Sequence, residues 1–374
     1  MFSVRLGVFL RLRDLSINGV RVPSIGPISF AQPFCQAGLA GYSDRAMRTV
    51  ARRRGCPYAV TEALLDVIIC SGGEGLRKSV DIGPEDHPVA GQIMGSEPQT
   101  MARAAKIMAD AGFDVVDLNY ACPVKKIKNK ARGGHMLRDV PRALDILRAC
   151  RDAVPHRVPM TISTRRSFDD SPEAADMFDA LTQAAWDDGY AAIRVHARTV
   201  EQKYLGRASW PFLAEFRAKN PGRVIFGSGD LFTAEDVVRM LRETGVDVAW
   251  IARGAIGNPW IFADAARLLA GEDPASLHPP SIGEQRAALA EHFALAMEIH
   301  GEQLAGRRMR KMGIKYSRFH PHAADVKAAF IAIHSLRDWQ AVLDRFYTGD
   351  APGVWPAPTA ADEVNTDQSC EAPA

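Results

Sequence analysis

An alternation leaves the fewest folds open to this chain. Short β-rich runs lie at 33–39, 57–62, 88–94, 114–120, 158–164, 191–197, 223–229 and 246–252. Helix-patterned stretches separate and follow them at 43–55, 64–77, 97–111, 139–154, 172–188, 209–219, 233–244 and 257–270. Helix starts are marked by Ser43 or Asp44, Ser96-Glu97-Pro98, Ser171-Pro172-Glu173 and Thr233-Ala234-Glu235. Gly112, Gly189 and Gly245 follow helix ends, where a left-handed residue is needed. Eight strand–helix units in succession predict an α/β fold, a (β/α)8 TIM barrel. A doubly wound sheet is the alternative, but it needs fewer units.

The barrel is expected over 26–272, after a lead-in at 1–25. The Pro- and Ser-rich stretch 273–283 reads as a linker. Helical patterns without a β run follow at 284–303, 306–319, 323–332 and 336–347, predicting a small C-terminal helical domain over 284–348. The tail 349–374 is rich in Pro, Ala and acid and reads as disordered. It holds five acidic residues from Asp350 onward and no Lys or Arg, so the body is more basic than the net charge of +2 shows. That asymmetry is a modest signal for a nucleic-acid partner. Six cysteines without a CxxC pair argue against a zinc site or disulfide framework and fit a reducing cytoplasm. No apolar run reaches the roughly 18 residues of a membrane span, and no metal is expected.

In such a barrel, reactive groups gather where strands end. The ends read Gly38-Leu39-Ala40, Glu62, Gln92, Asn119 with Cys122, Ser163 with Arg165, His196 with Arg198, Ser228-Gly229-Asp230 and Ala252-Arg253-Gly254. The last two are glycine-rich turns at the seventh and eighth strands, where barrels bind phosphate. Backbone N–H groups can approach an anion there, Arg253 adds charge, and a helix from about 257 offers its positive end. Two tight turns without a ligand are the plainer reading. Cys122 precedes a basic loop containing Lys125 and Lys126, a setting that lowers a thiol pKa and suits a nucleophile or proton donor; a buried cysteine beside a solvated lysine run is the alternative. His196 and Arg198 share a strand face, although His196 also reads as a core histidine. Lys203 and Tyr204 fall in a rim loop that contacts substrate or only solvent. The segment 306–318, with Arg308, Arg310 and Lys311, holds six Lys/Arg and no acid; it lines a polyanion groove or is a solvated face.

Several of these pieces occur together in one family. The stretches AGYSDRAMR (40–48), QIMGSEP (92–98), DLNYACPVKKI (117–127) with GGHMLRD (133–139), VHARTVEQKYLG (195–206), GDLFTAEDV (229–237) and IARGAIGNPWIF (251–262) resemble the tRNA-dihydrouridine synthases in order and spacing from about 26 to 345. The resemblance implies an FMN-containing barrel with a helical domain gripping tRNA, NADPH as reductant, hydride delivery to C6 of uridine and protonation of C5 by a cysteine, here Cys122. It implies flavin contacts from Gly38, Leu39, Ala40, Gln92, Asn119, Ser163, Arg165 and His196, and a phosphate site at Ser228, Gly229, Asp230, Ala252 and Arg253. It implies RNA or uridine contacts from Lys125, Lys126, Arg198, Lys203, Tyr204, Arg308, Arg310 and Lys311. A cytoplasmic monomer is expected.

The chain departs from the family pattern in four places. Gly38-Leu39-Ala40 stands for the usual Pro-Met-Ala, Ser163 for a flavin-facing Lys, Ser228 for Asn and Ala121 for Gly. Arg165 is expected to supply the cation that Ser163 lacks. These changes keep two other functions open: a barrel flavoenzyme reducing a small molecule, and an RNA-binding protein without flavin chemistry.

Overall fold

The computed structural model describes residues 16–73, 76, 80–123 and 131–356. Eight parallel strands close into a barrel: β1 (Phe34–Gln36), β2 (Ala59–Val60), β3 (Val89–Met94), β4 (Val115–Tyr120), β5 (Met160–Arg165), β6 (Ala192–His196), β7 (Ile225–Ser228) and β8 (Val248–Ile251). Each pairs with its sequence neighbour; β8 returns to β1 and β2 pairs with β3, so the described ring has no open edge. Eight helices follow in order: α1 (Arg45–Arg52), α2 (Asp66–Ser71), α3 (Pro98–Asp110), α4 (Val140–Ala153), α5 (Pro172–Asp187), α6 (Trp210–Lys219), α7 (Ala234–Thr244) and α8 (Ile261–Leu269).

Strand alternation sorts every second residue to the inside. On β4, Val116, Leu118 and Tyr120 face the helices, while Val115, Asp117 and Asn119 face inward. The lower interior is apolar, with Cys35, Tyr58, Val60, Ala90, Val115, Ala192, Phe226 and Val248. Val22, Ile25 and Phe30, from the residues leading into β1, plug that end. Phe30 lies 4.9 Å from the Tyr58 ring, and burying a side chain of its size stabilises by about 2 kcal/mol. The upper interior is polar: Gln92, Asp117, Asn119, Thr161, Ser163, Arg165 and Arg194 are all buried. A closed apolar floor and a hydrogen-bonded upper layer confine the reactive groups to the C-terminal mouth.

Two helices differ from the sequence reading. The stretch 64–77 opens as a two-residue strand, Leu64–Leu65, paired with β3, before α2. That helix stops at Gly72 and Gly73, both with positive φ. The helix expected from 257 starts at Ile261, because left-handed Gly257 and Asn258-Pro259 hold the chain extended or turned. A 3-10 turn at Arg253–Ala255 occupies the end of β8 instead.

Four more helices follow: α9 (Ile282–His300), α10 (Glu302–Tyr316), α11 (Ala323–Ile331) and α12 (Leu336–Phe346). Ser281 and Glu284 form a capping box at the start of α9, and Gly301 (φ 73°) breaks the chain between α9 and α10. Asp44, at the N-cap of α1, clasps this unit to the barrel by accepting from His300 Nε2 at 2.8 Å and Arg308 Nη1 at 3.1 Å. Residues 350–354, which the sequence reading places in the tail, lie against the helical unit: Val354 N donates to Phe319 O at 2.9 Å and Gly283 N to Asp350 Oδ1 at 3.1 Å. Residues 357–374 lie outside the described part, as do 1–15.

Candidate active site at the mouth of the barrel

Cys122 is half-buried two residues past the end of β4. Two interactions fix its backbone. Its N–H donates to Asn119 Oδ1 at 3.0 Å, and its carbonyl accepts from Gly134 N at 2.9 Å. Gly133 is left-handed (φ 57°), and a Cβ there would stand 2.9 Å from the Cys122 carbonyl oxygen, so the chain returning from the basic loop closes directly onto the cysteine. Lys125 and Lys126 lie outside the described residues.

Asn119 Oδ1 also accepts from Ala121 N at 2.9 Å, so the side chain forms a small turn over the strand end. Its Nδ2 donates to Gln92 Oε1 at 2.7 Å, and Gln92 Nε2 lies 3.3 Å from Ser163 Oγ. Gln92, Asn119, Ser163 and Cys122 are therefore one connected layer. Gly38 joins it through the backbone: a Cβ at that position would lie 2.1 Å from Thr61 O and 3.5 Å from Gln92 Oε1. Leu39 N donates to Ser43 Oγ at 2.8 Å, and Ala40 is exposed on the rim.

Arg165 is buried, and its guanidinium braces loops. Nε donates to Ala121 O at 2.8 Å; Nη1 donates to Thr199 O at 2.8 Å and Lys203 O at 2.5 Å. The Tyr204 ring lies 5.3 Å from this guanidinium and 5.4 Å from that of Arg253, so cations lie against it from two strand ends. Lys203, in a left-handed conformation (φ 51°), presents its carbonyl to Arg165.

The ends of β6, β7 and β8 form a pocket lined by His196, Ser228, Gly229, Asp230, Leu231, Phe232, Ala252 and Arg253. Arg198 grips Asp230 through Nη2 at 2.7 and 2.9 Å and also donates to Gly206 O. Its Nη1 is buried without a hydrogen-bond partner. Asp230 thus has its charge met by Arg198, with Arg253 3.5 Å away. Ser228 Oγ donates to Trp250 O at 2.9 Å. Burial, and after it the charges of Arg165, Arg198 and Arg253, push the His196 pKa well below its ordinary range. Its Nδ1 accepts from Arg198 N at 3.3 Å, which leaves Nε2 as the protonated nitrogen of a neutral ring. Gly254 packs so closely that a Cβ would lie 2.1 Å from Leu231 O.

The basic segment divides along α10. Arg307 and Arg310 are exposed. Arg308 turns to Asp44, with Glu62 3.6 Å away, at the junction with the barrel. Lys311 Nζ stands 3.6 Å from the Tyr42 ring, in the loop that follows Ala40. Among the described residues, the strand ends carry their sequence-identified residues to one mouth; Arg308 lies instead at the junction with the helical unit and Arg310 out on the helix surface. Sequence reasoning missed Asp117, to which Gln92 and Ser163 both donate, and its buried partners Thr161 and Arg194. The signal was present: Asp117 and Arg194 are charges inside apolar strand runs, two residues before Asn119 and His196 and so on the same inward face.

Among the described residues no cluster of His, Cys, Asp or Glu could hold a metal ion, and no helix is long and apolar enough to cross a membrane. Residues 35–348 match the family model described as dihydrouridine synthase. Curated relatives include tRNA-dihydrouridine synthase B of Xanthomonas axonopodis pv. citri, 34% identical over 86% of this chain and 95% of that protein. A probable tRNA-dihydrouridine synthase of Treponema pallidum is 33% identical over 79% of this chain and 87% of that one. Among solved structures, morphinone reductase in complex with tetrahydroNAD matches at 14% identity and a TM-score of 0.48, over 68% of this chain and 92% of that chain.

Proposed function

The chain belongs to the dihydrouridine synthase family, and from that premise we propose that it reduces uridine to 5,6-dihydrouridine in tRNA, with FMN as resident cofactor and NADPH as reductant. The observation that carries this reading is the juxtaposition of Cys122, held through its backbone by Asn119, with an anion-suited pocket at the ends of β7 and β8.

The residues present fit FMN. The pocket pairs Arg253 with close-packed Gly229, Gly254 packs behind it on Leu231, and the buried Nη1 of Arg198 has a donor to spare. Arg253 and the main chain of Gly229, Asp230 and Ala252 would hold the phosphate. Gln92, Asn119 and Ser163 supply amide and hydroxyl groups to the ring edge, and neutral His196 offers Nε2–H. Gly38 and Leu39 approach through the backbone.

Bound FMN, once reduced, supplies the hydride that adds at C6 of the uracil. The Cys122 thiol gives its proton to C5, so hydride and proton together saturate the C5–C6 bond, and the thiolate regains a proton from solvent. Tyr204 and Arg198 border the space for the base. The base leaves its stack at a cost of a few kcal/mol; Arg307, Arg310 and Lys311 offset this by contacting phosphates. From these substrates we infer that the protein works in the cytoplasm.

The test is to load the purified protein with FMN, follow flavin bleaching by NADPH, and then assay an unmodified tRNA transcript by mass spectrometry. The reading predicts a gain of two hydrogens on a uridine. A protein that takes up no flavin, or bleaches without altering the transcript, contradicts it.

A further inference from the structure

We propose that Asp117 is a positioning residue that sets the direction of the hydrogen-bond chain ending at the Cys122 backbone, an inference that rests on the reading of Cys122 as proton donor. Asp117 is fully buried on β4, in register with Gln92 of β3 on one side and Thr161 of β5 on the other. Its Oδ1 accepts from Thr161 Oγ1 at 2.5 Å and pairs with Arg194 Nη1 at 2.9 Å. Its Oδ2 accepts from Ser163 Oγ and from Gln92 Nε2, both at 2.7 Å. Arg194 is itself fully buried; it donates to Tyr58 Oη at 2.5 Å and lies 5.1 Å from the Phe226 ring.

The direction follows from donor and acceptor types. A side-chain amide satisfies its neighbours in either of two flipped orientations unless something distinguishes them. A carboxylate only accepts, so Gln92 must turn its NH2 toward Asp117 and its oxygen toward Asn119. Asn119 must then answer with its own NH2, at 2.7 Å. That leaves Asn119 Oδ1, and no donor, facing the N–H groups of Ala121 and Cys122. A buried charge two residues upstream thus determines that the loop bearing the thiol is tied down.

Asp117→Asn inverts the chain. The single remaining oxygen stays on the side of Thr161 and of the Arg194 charge 2.9 Å away, because a buried cation attracts an oxygen and repels an NH2. The new NH2 faces Gln92, Gln92 flips, Asn119 flips in turn, and the N–H groups of Ala121 and Cys122 meet an NH2. Adding Gln92→Glu restores the direction. The carboxylate introduced on β3 accepts from the new β4 amide on one side and from Asn119 on the other, so Asn119 Oδ1 again faces the loop.

The experiment measures the pH profile of Cys122 alkylation by iodoacetamide, read on the Cys122 peptide by mass spectrometry, without FMN or tRNA. Dihydrouridine formation is followed in parallel. D117N is expected to shift the alkylation profile and to slow dihydrouridine formation by about tenfold or more; D117N/Q92E returns both toward wild type. A D117N protein with wild-type profile and turnover, or a double variant no better than D117N, overturns the proposal. If D117N does not fold, Gln92→Met poses the same question without adding a charge, because nothing then carries the direction from Asp117 to Asn119. Its alkylation profile should shift, and an unchanged profile overturns the proposal. A wild-type protein that makes no dihydrouridine, while alkylation responds as stated, removes the reductase reading and leaves the role of Asp117 in place.

Discussion

Arg165 Nε donates to the main-chain carbonyl of Ala121 at 2.8 Å, one residue before the half-buried cysteine of the mouth. The same guanidinium holds Thr199 and Lys203, so one side chain ties the β4 loop to the β6 loop. Arg165→Ala leaves buried carbonyls without donors, at a cost of about 1–3 kcal/mol. Stability in urea should fall by that amount and dihydrouridine formation by more than tenfold. Arg165→Lys should restore little, because one ammonium cannot match a planar fork reaching three carbonyls. Full activity in the Lys variant would show that charge alone matters.

Gly254 tests the pocket at the ends of β7 and β8. A methyl group there meets Leu231 O at 2.1 Å, and backbone must move to admit it. Gly254→Ala should weaken FMN binding at least tenfold, measured by titrating apoprotein and following flavin fluorescence. The overpacking itself costs about 1–3 kcal/mol. Unchanged affinity would mean that the phosphate binds elsewhere.

Asp44 makes the junction between barrel and helical unit sensitive to acid. Burial raises its pKa, but the hydrogen bond from His300 and the charges of His292 and Arg308 outweigh burial and bring it from 3.8 to about 2. The folded value lies below the unfolded one, so the stabilisation is complete above about pH 4 and is lost as pH falls toward 2. Asp44→Asn should therefore cost about 2 kcal/mol in urea melts at pH 7 and pH 5, and distinctly less at pH 3. A difference that stays constant down to pH 3 would show that ionisation of Asp44 is not what holds the junction.

The exposed arginines of α10 bear on RNA rather than on folding. Arg307→Glu and Arg310→Glu should leave the melting temperature and flavin spectrum unaltered and weaken tRNA binding. The slope of log Kd against log salt should flatten by about one for each lost phosphate contact. Equal salt slopes for variant and wild type would remove α10 from the RNA interface.

The barrel could be read in the sequence because a parallel strand announces itself by an apolar run, and eight such runs alternate with capped helices. The mouth could be read because strand ends are where polar residues become frequent. The start of α8 could not: Gly257 and Pro259 interrupt a stretch whose composition is otherwise helical. Arg165 shows a different limit. Its position at a strand end was legible, but its three carbonyl partners come from loops 34 to 44 residues away in sequence, so its bracing of the β4 and β6 loops was not. Asp117 and Arg194 were visible as charges in strands, yet only the register between β3, β4, β5 and β6 shows that they meet and what they orient.

The central claim is that Cys122 gives the proton that completes uridine reduction. The most direct measurement is a single turnover of FMN-loaded, NADPH-reduced Cys122→Ala with tRNA, following flavin reoxidation and dihydrouridine together. The account predicts wild-type flavin binding and reduction, with dihydrouridine formation slowed by about a hundredfold or more. Dihydrouridine forming in the variant at the wild-type rate would contradict it.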